Sequence, residues 1–337
     1  MNVFAFAVFC LLGLGAFAGP AAADPIADFY AGHNITIVVS TGPGGGYDLY
    51  ARTLAQHMQR HVPGKPTIIT QYMPGAGGIK AANHVYTVAA RDGSVIALPS
   101  QAAALVQVLD GRGIRYNAAE FNYIGRMVST NSVVMVWHDA PAKTLEAMKK
   151  TEVVFATDGK GTQSQYNLAL MRNLLGEKFK LVQGYNASAL ILQAMEKGEV
   201  HGYAYSWATL RASKRDWLDG GKIVPLAEIG LKNSTGLSVP LVMDLATDPD
   251  HKRARELVAS PTAVGRSFVA PPKVPAERVA ALRKAFDETM KDPALVADAE
   301  KRHMEIDPMT GAEVQQVVER TVSTPKALLE KVRKMLD

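Results

Sequence analysis

Ile35-Thr36-Ile37-Val38-Val39, running straight into Ser40-Thr41-Gly42-Pro43-Gly44-Gly45-Gly46-Tyr47-Asp48, is the stretch that decides the fold of this chain. The unbroken β-branched run suits a strand buried on both faces of a parallel sheet. The Gly/Pro cluster behind it must be a turn. A helix follows from Asp48, with Leu54, Ala55 and Met58 on one face and a carboxylate in the first turn, where it suits the helix dipole. His61-Val62-Pro63-Gly64 stops that helix. The unit then recurs: a strand over Thr67–Tyr72, a turn Pro74-Gly75-Ala76-Gly77-Gly78, and a helix with Ile79, Ala82 and Tyr86 on one side. Arg91-Asp92-Gly93 leads into a third strand, Ser94–Leu98. Right-handed parallel crossovers place both glycine turns at the carboxyl edge of one sheet, where open α/β sheets bind ligands.

Outward from this core the pattern continues. Glu152–Ala156 reads as a strand leading into Thr157-Asp158-Gly159-Lys160-Gly161-Thr162-Gln163, and a helix carries Leu168, Met171 and Leu175. Leu181-Val182 reads as a strand and Ala189–Lys197 as a helix. Glu199–Trp207 alternates, with Tyr203, Tyr205 and Trp207 opposite Gly202, Ala204 and Ser206. The tail is helical, marked by Val279, Leu282 and Phe286 and again by Leu328, Val332 and Met335. The chain therefore reads as α/β, with no solenoid repeat and no low-complexity linker.

With 337 residues, 47% hydrophobic and 20% charged, the composition is that of a water-soluble globular protein. Disorder, collagen and a disulfide-stapled mini-domain are excluded, and the length favours two domains. The formal charge of +5 is mild and its basic residues are spread out. That argues against nucleic acid and is compatible with a small anionic ligand. No Lys or Arg precedes Arg52, and Val3–Ala18 is an apolar run that contains the sole cysteine, Cys10. The run is short of the roughly 20 residues a membrane span needs. Ala21-Ala22-Ala23 before Asp24 matches a cleavage site, so residues 1–23 read as a secretory signal peptide. An uncleaved anchor is the alternative. A lipoprotein anchor on Cys10 is disfavoured by the bulky Phe9. Cleavage leaves no cysteine, which removes thiol catalysis, Cys-ligated zinc, iron–sulfur clusters and disulfides together.

The glycine turns carry the chemistry. Successive N–H groups without side chains in the way can converge on an anion, assisted by the helix N-termini behind them. Neither turn has the Lys-Ser/Thr of a P-loop, and Gly44-Gly45-Gly46 lacks dinucleotide spacing, so a carboxylate fits better than a phosphate. Thr157–Gln163 is a third turn of this kind, whose hydroxyls, amides and Lys160 suit the other end of an anionic ligand; it also reads as a solvated loop. The Tyr203/Tyr205/Trp207 face reads as core more readily than as a stacking platform. His57 and His61 have metal-ligand spacing, but nothing nearby completes a set, and an exposed helix face is expected. Arg266, in Gly265-Arg266-Ser267, suits either a carboxylate in a cleft or a surface ion pair. No G-x-S-x-G, H-E-x-x-H or general-base cluster is present, so no catalytic residue is assigned.

Ile37–Asp48 with Ala51-Arg52 resembles the first strand and loop of the Bug family, the extracytoplasmic solute receptors of tripartite tricarboxylate transporters. The likeness continues through Met73–Gly78, Arg91-Asp92-Gly93 and Tyr116–Gly125. It is weaker at Gly159–Thr162, Gly198-Glu199-Val200 and Ala270–Pro275. The resemblance implies a type II periplasmic binding fold: two doubly wound α/β lobes joined by a hinge and closing on a small carboxylate. It also implies a periplasmic location, membrane transporter subunits as partners, a monomer, and neither cofactor nor metal. The corresponding division is residues 24–125 and 227–337 in lobe 1 and 126–226 in lobe 2. The implied ligand-binding set is Gly44, Gly45, Gly46, Tyr47 and Asp48; Gly75, Ala76, Gly77, Gly78 and Ser100; and Thr157, Gly159, Gly161, Thr162, Gln163, Tyr185, Asn186 and Tyr205. Departures from the family pattern fall on the second lobe and its approaches: Gln165 for a His, Val182–Asn186, Gly265-Arg266-Ser267 for a Trp-x-Gly, and the charged segment Asp248–Glu256. A module feeding a signalling system is the alternative. An enzyme such as a porphobilinogen deaminase-like transferase would need a cysteine for its covalent cofactor.

Overall fold

The computed structural model describes residues 24–175, 178–245 and 249–336. The apolar run, Cys10 and Ala23 lie outside the described residues. Among the described residues eleven strands form two sheets: β1 Ile35–Val39, β2 Ile68–Tyr72, β3 Val95–Leu98, β4 Asn122–Arg126, β5 Ser132–Trp137, β6 Val153–Ala156, β7 Phe179–Val182, β8 Gly202–Ser206, β9 Ile223–Ile229, β10 Ser267–Ala270 and β11 Met309–Thr310. The first sheet runs β11-β4-β10-β3-β1-β2 and the second β7-β6-β8-β5-β9.

β1 pairs in parallel with β2 and β3. Its alternate residues explain the unbroken apolar run: Ile35, Ile37 and Val39 enter one core and Val38 the core on the opposite face. The helix Gly46–Met58 covers the first face through Tyr50, Ala51, Leu54 and Met58. The helix Ile79–Thr87 covers the other through Ala81, Ala82 and Val85. In the second sheet β6 is parallel to β7 and β8, while β5 is antiparallel to β8 and β9. Val134, Val136 and Phe155 fill one of its faces; Val133, Met135 and Tyr203 fill the other.

The division between lobes does not follow the expected 226/227 boundary. β9 pairs along β5 from Trp137↔Ile223 to Ser132↔Ile229, so that boundary cuts a strand of the second sheet. The helices Pro249–Ala259 and Lys326–Leu336 also bury Ala254, Val258, Leu329 and Val332 in the second lobe's core. Two segments cross between the sheets and pair with each other: Met127 N donates to Arg266 O (3.0 Å), Arg266 N to Val128 O (3.0 Å) and Thr130 N to Thr262 O (2.9 Å). Gly265 permits this approach. Its φ is +52°, and a Cβ there would lie 2.0 Å from Val128 O.

The histidines are also corrected. His57 is 3% exposed and pairs with Asp298 (3.2 Å), and His61 pairs with Asp292 (2.8 Å), because the tail helices dock on that face. Helical periodicity cannot tell which polar face a distant segment will cover.

Candidate ligand-binding cleft

A cavity of about 360 Å³ lies between the sheets. It is lined by the loops at the carboxyl ends of β1, β2 and β3 on one side and of β6, β7 and β8 on the other. Its volume falls in the range of small-molecule sites.

The first wall is mainly backbone. Gly44 N donates to Asp48 Oδ2 (2.8 Å) and the Tyr72 hydroxyl donates to Asp48 Oδ1, so the carboxylate ties the turn to β2 from behind. This leaves the first-turn N–H groups of Gly46 and Tyr47 without intrahelical acceptors. The second turn has positive φ at four successive residues: Gly75 (141°), Ala76 (48°), Gly77 (63°) and Gly78 (96°). Only a glycine-rich segment holds such a path without large strain. Within its 3-10 turn, Gly78 N donates to Gly75 O and Ile79 N to Ala76 O, so the Ala76 and Gly77 N–H groups are unused there. A Cβ on Gly78 would lie 2.8 Å from Ser100 Cβ and 3.4 Å from Ser40 Cβ, which shows how closely the three loops converge.

The second wall is mainly side chains. Asp158 Oδ2 accepts from the Tyr203 hydroxyl (2.6 Å) and from Ser164 Oγ (3.1 Å). Burial raises the Asp158 carboxyl above its usual range despite those bonds. The Tyr203 hydroxyl is pushed well up by burial and by the Asp158 charge, and burial pushes Tyr205 up to about 12. The two tyrosine rings stack at 5.1 Å. Gly161 N donates to Gln165 Oε1 (2.7 Å), which makes Gln165 a brace of its loop.

The walls meet. Gly42 N donates to Asn186 O (3.2 Å). A Cβ on Gly45 would lie 2.5 Å from Ser188 Oγ, and one on Gly77 would lie 2.6 Å from Lys160 O. Arg266, on the crossing segment, stands between the walls with its guanidinium 4.1 Å from the centre of the Tyr47 ring. Its Nη1 donates to Gln101 Oε1, which also accepts from Thr130 Oγ1 (2.9 Å), while Gln101 N donates to the Tyr47 hydroxyl (2.9 Å).

Gly46, Tyr47, Gly75, Ala76, Gly77, Gly78, Ser100, Gly159, Thr162, Gln163, Tyr185, Asn186 and Tyr205 line this cavity. Gly44, Gly45 and Asp48 do not; they border a separate recess with Arg52 and Arg302, on the far side of the first turn. Thr157 and Gly161 are likewise absent from the lining. Thr157 is fully buried beneath its loop, where its Oγ1 accepts from Gly159 N (3.2 Å). The lining also holds Ser40, Thr41, Gln101, Ser132, Asp158, Tyr203 and Arg266, which were not in the expected set. Tyr203 and Tyr205 are both core and cavity wall, since each is buried in the second lobe yet reaches the cleft at the end of β8. Among the described residues no group of three or more His, Cys, Asp or Glu is placed to hold a metal, and no helix is long and apolar enough to cross a membrane.

A family model described as the tripartite tricarboxylate transporter family receptor matches residues 50–333. Among solved structures the chain is similar to the periplasmic binding protein BugD, at 20% identity and TM-score 0.73, covering 90% of this chain and 98% of that one. It is similar to R. palustris Rpa4515 with adipate, at 20% identity and TM-score 0.70, covering 90% and 97%. MatC from Rhodopseudomonas palustris with bound malate matches at 18% identity and TM-score 0.69, covering 90% and 99%. These likenesses establish the two-lobed periplasmic binding fold. No curated protein matches the chain by sequence.

Proposed function

The chain belongs to the tripartite tricarboxylate transporter receptor family, and on that premise we propose that it captures a small carboxylate in this cleft and delivers it to membrane transporter subunits. The family is one of receptors, not enzymes. The observation that carries the reading is the convergence of two glycine turns on one cavity, with the N–H groups of Gly46, Tyr47, Ala76 and Gly77 left over by the turns themselves. The helices behind both turns add partial positive charge at their N-termini. Adipate and malate in two relatives of the same fold support the ligand class. The site set is then the cavity-lining residues, with Asp48 as a brace.

In this reading the lobes close on the ligand about the paired crossing segments, exclude water and present a joint surface to the transporter. Cleavage after Ala23 would release the receptor into the periplasm, where it would work as a monomer. Thermal unfolding of protein stripped of co-purified ligand by unfolding and refolding tests the proposal, with a panel of mono- and dicarboxylates, aromatic acids and amino acids. At 100 times its Kd a ligand stabilises by about 2.7 kcal/mol, a readily measured rise in Tm. Absence of stabilisation by every acid would overturn it.

A further inference from the structure

The helix Trp207–Ser213 follows β8 directly and touches both lobes. Trp207 and Leu210 are buried in the second lobe's core with Met195 and Trp217. Ala208 is buried in the first lobe's core, and Ala212 packs against it. Thr209, fully buried, sits on the first glycine turn: a Cβ on Gly46 would lie 2.3 Å from its Oγ1 and 2.9 Å from its Cγ2. The large side chains thus tie the helix to the second lobe. Its face toward the first lobe is made of small ones, which bury little apolar area and separate at little cost.

On the same helix Arg211 Nη1 meets Glu305 Oε1 at 2.6 Å. Glu305 lies between the helix Pro293–Lys301 and β11, in a stretch whose Met304 and Ile306 pack in the first lobe's core. That stretch is well fastened. The Tyr50 hydroxyl donates to Glu305 O (3.0 Å), Asp307 N donates to Met127 O (2.9 Å), and the Asp307 carboxylate accepts from Arg126 (2.8 Å) and Ser129 Oγ (2.7 Å). Glu305 is therefore fixed to the first lobe and the crossing segment, while Arg211 is carried by the second lobe. The neighbouring cations pair within their own lobes, Lys214 with Glu196 (2.8 Å) and Arg302 with Asp298 (3.2 Å). Neither Arg211 nor Glu305 lines the cavity. Their side chains are 40% and 35% exposed, so the pair is a modest one that water can replace when the lobes part.

From this placement we infer that Arg211 and Glu305 form a closure latch, made when the lobes come together and slowing their reopening whatever the cleft holds. The latch rests on the lobe closure proposed above. A pair remote from the cavity changes only the closed fraction, so it scales every affinity by one factor. Calorimetric and stopped-flow titration of the stripped protein with malate and adipate tests it. Arg211→Gln or Glu305→Gln should weaken both acids about threefold, and Arg211→Glu, which sets like charges together, about tenfold, mostly through faster dissociation. Combining Arg211→Glu with Glu305→Arg should restore wild-type affinity to within about twofold. Spin labels on Val88→Cys and Lys197→Cys, exposed on the first and second lobes, in a Cys10→Ser background, report the lobe distance without any acid. There Arg211→Glu should lower the closed-to-open ratio about tenfold, and the double reversal should restore it. Unchanged affinity, a loss confined to one acid, or a loss that the double reversal does not repair would overturn the latch and leave the carboxylate reading standing. If no acid binds, the carboxylate reading falls and the label distances decide the latch, unchanged distances overturning it. The two Gln variants carry the test if a reversed chain fails to fold.

Discussion

The two walls of the cleft obtain their polarity by different means. The first uses main chain: glycine turns at Gly44–Gly46 and Gly75–Gly78, with Asp48 and Tyr72 fastening them from behind. The second uses side chains from a loop, a helix and a strand: Asp158, Ser164 and Tyr203 held by one another, faced by Arg266 on the crossing segment. A backbone wall offers donors to any carboxylate, whereas a side-chain wall selects by charge. In the proposed reading, capture falls mainly to the first wall and discrimination to the second.

The largest test of the backbone wall is Gly77→Val. Its φ of +63° disfavours a β-branched residue, and the new Cβ would press on the Lys160 carbonyl, so the lobes could not close as they do here. Together these effects should cost about 2–5 kcal/mol, or roughly 100-fold in affinity by calorimetry. Unchanged binding would mean that closure does not bring these loops together. Asp48→Ala comes next. It frees Gly44 N and the Tyr72 hydroxyl, and about tenfold weaker binding with a lower Tm is expected. Asp48→Asn should recover part of the loss by keeping one acceptor. Gly45→Ala should cost only about threefold, because the atom it meets is the rotatable Ser188 hydroxyl rather than backbone.

On the side-chain wall the smallest effect is a pH dependence. Burial holds the Asp158 carboxyl above its ordinary value of 3.8, so folding favours its protonated form. That contribution is present below the ordinary value and disappears as pH rises through the raised one. Between pH 4 and 7 the ligand-free wild type should therefore lose stability relative to Asp158→Asn, measured as a widening Tm difference. A difference independent of pH would show that Asp158 titrates normally.

The same division explains what the sequence reveals. Glycines at Gly44–Gly46 and Gly75–Gly78 have few reasons to cluster after strands except turn geometry, so the two turns are readable in the sequence, though not that Gly44 and Gly45 border a separate recess and only Gly46 of the first three lines the cavity. Arg266 and Asp158 are common residue types, and nothing local distinguishes a charge in a cleft from one on a surface. Arg266 is placed by its pairing with Val128, which lies far away in the chain. Asp48 could be read as near the site but not as its brace, since its partner Tyr72 comes from the next strand. The lobe boundary is missed for a similar reason: β9 and the helix Lys326–Leu336 join the second lobe through contacts that no local pattern encodes.

In the proposed function, main-chain amides of the first lobe hold the ligand's carboxylate. A crystal structure of the stripped protein soaked with its tightest-binding acid tests it most directly. The expected result is a carboxylate within hydrogen-bond distance of N–H groups from both turns, among Gly46, Tyr47, Ala76 and Gly77. A carboxylate held only by second-lobe side chains, with both glycine turns out of contact, would contradict it.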